Sequence, residues 1–439
     1  MLICCIKNRI SVYYISGGIL MLLNFTIDNF KVFNSEVNLS LEADLRTKKL
    51  ISNVITGSQG NVLKSVAIYG PNNTGKSCII EAMHAYRSVL LNRHLRLSDN
   101  DINIFSDSKI IKLGAEFLIG NNRYEYIFCF DNQKKIFCKE RFTKILIDQY
   151  GNKSKEVYFY KNAETGETAS SNVQLNEVIN LSSKDNILIY SLDTSNFPLL
   201  QEAKDVLQTF ARSIYIVWMD HLSVARTIEV LKDPTSSEAQ QIVSLIKNAD
   251  LDIDDFRYDN DIKVIASNKD KQEDISSKES IDSFKLMSIH HGKAVPSIIF
   301  DSLGTKKIVS LASYIVQVLN HGGTLFLDEL DSGLHFKLSR AIVSLFNNIA
   351  NESAQLVCTT HDVSLLDIKT LFRKEQLWFT DKDNTQAYLY SLADFSASDT
   401  GIRSETNLYE RYSKGLLGAL PDPSLVDSLL MKKSGDSDE

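Results

Sequence analysis

Residues Gly70-Pro71-Asn72-Asn73-Thr74-Gly75-Lys76-Ser77 fit the pattern G-x-x-x-x-G-K-[ST]. The flanks make this the tightest constraint on the fold. Ser65-Val66-Ala67-Ile68-Tyr69 is a short apolar run, as expected of a parallel strand buried on both faces. Cys78 to Tyr86 carries apolar residues at helical spacing and no breaker. Strand, glycine loop and helix thus follow in the order a phosphate-binding loop requires. Gly70 and Gly75 permit backbone conformations and a close approach that a Cβ would block. Pro71, Asn72, Asn73 and Thr74 complete a loop whose N–H groups form an anion nest at a helix N-terminus. Lys76 is expected to reach the β- and γ-phosphates of ATP, and the Ser77 hydroxyl to coordinate Mg²⁺.

Far downstream, Thr324-Leu325-Phe326-Leu327-Asp328-Glu329 is an apolar strand ending in two carboxylates. Alone it could be a strand closing in a solvated acidic turn. After a phosphate loop it reads as the Walker B strand. Asp328 is then the Mg²⁺ ligand, and Glu329 the base that polarises the attacking water. Just upstream, Asp301-Ser302-Leu303-Gly304-Thr305-Lys306-Lys307 opens a helix predicted over 308–319. Ser302, Gly304 and Thr305 there form a second anion cradle, or Ser302 simply caps the helix. Gln355-Leu356-Val357-Cys358-Thr359-Thr360-His361-Asp362 is another strand ending, this time in a histidine. In this order and spacing His361 reads as a γ-phosphate sensor rather than a structural histidine.

The composition suits a soluble globular chain: 439 residues, 44% hydrophobic and 23% charged. A net charge of −7 leaves no global basic field that would mark a nucleic-acid binder. The six cysteines are scattered without paired zinc-like spacing, which reads as reduced cytoplasmic thiols. Ile10 to Phe25 is too short and too interrupted by Ser11, Ser16, Gly17, Gly18 and Asn24 to span a membrane. No signal-peptide cleavage site is clear. Met21 opens what reads as the first strand, so residues 1–20 are expected to be a non-native extension.

Residues 21–198 are predicted to form a first lobe carrying the phosphate loop and antiparallel strands. Val37 to Leu41 alternates, and 113–118, 123–130 and 136–147 read as a meander with turns at Gly120-Asn121-Asn122 and Asp131-Asn132. Residues 151–185 look polar and strand-poor. Leu207, Phe210, Ile214, Val217 and Trp218 suggest helix, so 199–283 is predicted to be an inserted helical lid ending in a charged, serine-rich linker at 267–282. Residues 284–430 form the second lobe, and 431–439 a disordered tail.

Together these motifs resemble the ABC-class, SMC-related ATPases of bacterial abortive-infection and restriction-linked operons. RloA-like and AbiL-like proteins are among them, and the OLD-type (overcoming lysogenisation defect) ATPases are cousins. The resemblance extends from Phe25-Thr26-Ile27-Asp28-Asn29-Phe30-Lys31-Val32-Phe33 to Tyr412-Ser413-Lys414-Gly415-Leu416-Leu417-Gly418-Ala419-Leu420-Pro421, a Y-x-x-G-x-x-G-x-x-P pattern. It implies an α/β, ABC-type P-loop ATPase head with an inserted, mainly helical lid. In Leu330-Asp331-Ser332-Gly333, Asp331 resembles the D-loop aspartate. The resemblance further implies that Ser302 completes the ATP site of a second subunit, in a homodimer or a larger ring.

Two departures narrow the function. Asp301-Ser302-Leu303-Gly304-Thr305 replaces the L-S-G-G-Q of transporter ATPases, which argues against a transporter motor. The stretch between Ser77 and Ser302 has no sustained heptads, so the long coiled coils of true SMC proteins are not expected. Gln133 and Gln149 are the candidate Q-loop residues, each in a turn-like context. Asp381-Lys382-Asp383 mimics the D-x-D of a Toprim nuclease. Too few residues follow His361 for that domain, so a turn after the strand at 376–379 is expected and no nuclease site. The first functional reading is therefore an ATP-driven sensor or scaffold in phage defence, cytoplasmic and off the membrane. It would control a separately encoded effector, with nucleic acid or a phage component as further candidate partners; what it senses is not readable from the residues. The second is an SMC-like DNA-maintenance ATPase, and the weakest a transporter subunit.

Overall fold

The structure is a computed structural model and describes residues 20–93, 97–148, 152–249, 251–262, 282–395 and 407–420. Residues 1–19, the linker up to Ile281, Gln149, and everything from Pro421 through the expected tail lie outside the described residues. The first lobe opens with β1 (Leu20–Asp28) and β2 (Val37–Ser40), then a small hairpin of β3 (Val54–Gly57) and β4 (Gly60–Leu63). The buried strand β5 (Ser65–Tyr69) leads through the glycine loop into the helix Lys76–Leu91, here the loop helix. Strands β6 (Ile110–Ile119), β7 (Asn122–Asp131), β8 (Ile136–Ile147), β9 (Lys153–Asn162) and β10 (Thr168–Ala169) follow. They join β1 and β2 in a seven-stranded antiparallel sheet of order β10-β9-β8-β7-β6-β1-β2. The expected meander is present.

Strand β9 is a departure from the sequence expectation. Lys153, Ser154 and Lys155 are exposed, while Tyr158 and Phe159 are buried. The charged half hides the strand signal because one end runs out into solvent.

The second departure concerns residues 198–218. The helix Pro198–Arg212 is no lid: its Phe210 ring stacks on Phe117 of β6 with centroids 3.9 Å apart. Such pairs add roughly 0.5–1.5 kcal/mol beyond area burial. After Ser213 the chain turns into β11 (Ile214–Trp218), a parallel edge strand rather than more helix. The described residues of 219–296 form a further unit beside the two main sheets, and it is mixed rather than mainly helical. Helices Ala225–Leu231 and Ser237–Lys247 lie beside a three-stranded sheet of β12 (Asp255–Tyr258), β13 (Leu286–His290) and β14 (Lys293–Pro296). Ile228, Leu231, Ile242, Ile246 and Phe256 pack against Val309, Ala312 and Val316. Those three lie on one face of the helix Leu303–His321, here the signature helix.

The second lobe supplies β15 (Gly323–Asp328), β16 (Ala354–Thr359), β17 (Leu377–Asp383) and β18 (Gln386–Ser391). With β5 and β11 they form a six-stranded sheet of order β11-β15-β16-β5-β17-β18, parallel except for β18. Strands from opposite ends of the sequence thus interleave around β5. Buried Gln355 ties them together. It accepts from Leu22 N–H at 2.7 Å and Thr324 Oγ1 at 2.9 Å, and donates to Leu22 O and Leu63 O at 3.0 and 3.1 Å. One amide so satisfies backbone groups of β1 and β4 in the dry seam between the sheets.

Candidate nucleotide site

In an open parallel sheet, ligands bind beyond the carboxyl ends of the strands. Four carboxyl ends converge here: β5 runs into Gly70, β15 ends at Asp328, β16 at Thr359, and β17 passes Thr380. Strand β16 lies between β5 and β15, pairing Thr359 with Ile68 and Cys358 with Leu327. That register sets Thr359 between the phosphate loop and the acidic pair.

The loop is closed on itself. Lys76 Nζ donates to Gly70 O at 2.7 Å and to Pro71 O at 2.9 Å, and Thr74 Oγ1 donates to Pro71 O at 2.8 Å. The lysine thereby bridges its own loop, occupying its charge with carbonyl dipoles. Gly75 has φ +115°, and a Cβ there would stand 2.7 Å from the Phe33 ring. The loop helix therefore starts hard against the turn after β1, and only glycine fits. Asn73 has φ +63°. Burial lowers the Lys76 pKa, with Asp328, Glu329 and Asp331 acting in the opposite direction. Three carboxylates thus lie within electrostatic reach of the lysine. Ser77 follows it in the first turn of the loop helix.

Asp328 is buried, and its Oδ1 accepts from Thr359 Oγ1 at 2.5 Å. The same Thr359 oxygen accepts the Glu329 N–H at 2.8 Å. Glu329 has φ +57°, a left-handed conformation rare for a residue with a Cβ. Such strain persists only where the surroundings over-determine it, and here Thr359 holds it from two sides. Asp331 Oδ1 accepts from Thr360 Oγ1 at 2.7 Å and from His361 N–H at 3.1 Å. His361 itself is exposed at the site edge. Desolvation by the surrounding protein, then the Lys76 ammonium, hold its pKa below the ordinary value. Neutral His361 keeps one ring nitrogen as donor and the other as acceptor.

Lys76, Asp328, Glu329, Asp331 and His361 are thus brought together. The signature residues make local contacts. Ser302 is the N-cap of the signature helix, accepting from Thr305 N–H at 3.1 Å and lying 2.9 Å from Thr305 Oγ1. A Cβ at Gly304 would stand 2.7 Å from Gly333 O. Gln133 sits exposed in the turn after β7, its N–H on Asp131 Oδ1. Asp381, Lys382 and Asp383 continue β17, and the turn follows them. Asp381 Oδ2 accepts the Ala419 N–H at 3.3 Å, so it anchors the C-terminal segment.

Sequence reasoning missed Thr359, Thr360 and Thr380. Thr380 Oγ1 lies 2.7 Å from Thr74 Oγ1 and ties β17 to the loop. A threonine in an apolar strand carries no signal of its own, because its face depends on a register that only the sheet supplies.

No curated protein matches. Solved structures similar to the chain include the SMC head domain from Thermotoga maritima, at 13% identity over 84% of this chain and 98% of that one, TM-score 0.37. A second is the SmcHead bound to the C-winged helix domain of ScpA, at 12% identity over 84% and 97%, TM-score 0.40. A third is an Smc head domain with an extended coiled coil bound to the C-terminal domain of ScpA, derived from Pyrococcus furiosus, at 12% identity over 85% and 96%, TM-score 0.39. The family described as "AAA domain, putative AbiEii toxin, Type IV TA system" matches residues 65–367, from β5 through the threonine–histidine strand end. With well over half of the chain matched, the protein belongs to this AAA-domain family of P-loop ATPases.

Proposed function

We propose that this protein binds and hydrolyses ATP and serves as a nucleotide-controlled sensor or scaffold in a bacterial anti-phage system, acting on a separately encoded nuclease or toxin. One observation carries the enzymatic part: a buried lysine, two aspartates, a strained glutamate and a histidine whose environment favours its neutral form converge at adjacent strand ends. Loop N–H groups and Lys76 would hold the phosphates. The donor set suits Mg²⁺, since the Ser77 hydroxyl and the Asp328 carboxylate are hard oxygens. Thr359 takes Oδ1 of Asp328, and Oδ2 keeps its lone pairs for a cation. Ser77 and Asp328 would hold the metal, which supplies charge neutralisation to the phosphates when bound. Glu329 would orient water and take its proton, and His361 would donate to the terminal phosphate.

The defence assignment is supported by the abortive-infection resemblance and by the toxin–antitoxin wording of the family description. Assembly as a homodimer with composite sites fits a chain with one phosphate loop and a capped serine cradle. A cytoplasmic location accords with the described residues, where no helix is long and apolar enough to cross a membrane. The test is phage plating on cells carrying the gene with its native neighbours. Wild type should lower plating efficiency, and Lys76→Ala should restore it to that of empty cells. Equal protection by both would refute nucleotide control of defence.

A further inference from the structure

Lys307 lies in the second turn of the signature helix, yet its side chain is only 10% exposed. An ammonium that buried needs partners, and all of them come from outside its helix. Nζ donates to the Ser332 carbonyl oxygen at 3.1 Å and to Ser332 Oγ at 2.9 Å. The Ser332 hydroxyl in turn donates to Asp220 Oδ1 at 3.2 Å, and that carboxylate lies 3.7 Å from the ammonium. Three segments thus meet on one side chain: the signature helix, the turn after β15 and the loop leaving β11.

The backbones are drawn together at the same point. The 2.7 Å from a Cβ at residue 304 to Gly333 O leaves room for nothing larger than glycine. Gly333 has φ +68°, and a Cβ there would stand 3.4 Å from Lys307 Cδ and Nζ. Two residues earlier, Asp331 seats the same turn on the strand end of His361. A short rigid run therefore joins strained Glu329 to the turn that begins the signature helix.

We propose that Lys307 is a positioning residue that fastens the Asp331–Gly333 turn to the signature helix, so that the hydrolytic glutamate and the signature serine of one subunit move as a single piece. Lysine suits this work because its three donors can meet a carbonyl, a hydroxyl and a carboxylate at once. The proposal rests on the ATPase reading above. Holding ATP needs none of these three contacts, whereas turnover needs Glu329 correctly placed. Their loss should appear in kcat and leave affinity alone.

Lys307→Met keeps the stem and removes the charge. Its ATP affinity by calorimetry should stay within about twofold of wild type, while kcat falls about tenfold to a hundredfold, the scale of a small misplacement. Lys307→Arg should recover much of the rate. Ser332→Ala, on a half-buried turn, leaves the carbonyl acceptor in place and should lower kcat less, in the same direction. Wild-type kcat in both Lys307→Met and Ser332→Ala would overturn the proposal. So would a lowered melting temperature with kcat unchanged, or an arginine variant no better than methionine. If Lys307→Met does not fold, Ser332→Ala decides alone, and an unchanged rate there sinks the idea. A wild-type protein that neither binds nor hydrolyses ATP is a different result: it refutes the ATPase reading itself, and this proposal with it.

Discussion

The phosphate-loop cluster and the signature turn both lie at helix N-termini, and their polar groups are satisfied in opposite ways. In the cluster, charged groups gather around the phosphate loop and the end of β15 and are bound by their scaffold: Lys76 by loop carbonyls, Asp328 and Glu329 by Thr359. In the signature turn, Ser302 is bound to its own helix through Thr305, and Lys307 is bound to the neighbouring turn. In the ATPase reading proposed above, a phosphate would take Lys76 from its loop carbonyls. The signature turn is a finished cap, worth about 1 kcal/mol of local stability. A cap and a contact to a partner's phosphate are compatible all the same. Capping uses a lone pair of Ser302 Oγ, and the hydroxyl proton can still be donated.

The largest expected effect falls on the cluster. Glu329→Gln should retain ATP and slow hydrolysis about a hundredfold or more, the scale of losing a general base. A phosphate-release assay with an unchanged rate would mean another group positions the water. The signature turn is tested by mixing. Ser302→Arg should be inactive alone, as should Lys76→Ala, and a mixture should recover part of the activity because a mixed dimer keeps one intact composite site. If Ser302→Arg hydrolyses ATP normally by itself, the turn is a cap and nothing more.

A smaller effect separates the regions by pH. His361 is held below its ordinary value of 6.5 by desolvation and Lys76. Its stabilising contribution is present above that value and lost as pH falls through its lowered pKa. His290, beside the signature turn, is shifted the other way. Burial pulls it down, but the Asp252 carbonyl at 2.7 Å and Asp301 Oδ1 at 3.1 Å outweigh burial and raise it. Its contribution is complete below 6.5 and lost as pH rises through the raised pKa. Melting curves from about pH 5 to pH 8 should therefore flatten on the acid side for His361→Asn and on the alkaline side for His290→Asn. Identical pH profiles for the two variants would refute the opposed environments.

What could be read from residues alone follows the same division. Gly70–Ser77 was legible because a strand period changes to a helix period across two glycines. Asp328–Glu329 was legible only because it lies downstream of that loop; alone, the apolar strand could equally end in a solvated acidic turn. Thr359 was not, since its value lies in a register between β15 and β5 contributed by distant parts of the chain. Lys307 reads as a solvated residue on a helix until the turn from Ser332 covers it. Ile214–Trp218 passes for helix because its apolar spacing continues that of Leu207 and Phe210 across Ser213, and only pairing with β15 makes it a strand.

The central claim is that the cluster around Lys76 is an ATP site, and titration calorimetry with ATP and Mg²⁺ tests it most directly. Wild type should bind saturably, and Lys76→Ala should show no binding, because it loses both the charge and the donor that meet the β- and γ-phosphates. Near-wild-type affinity in Lys76→Ala would contradict the account.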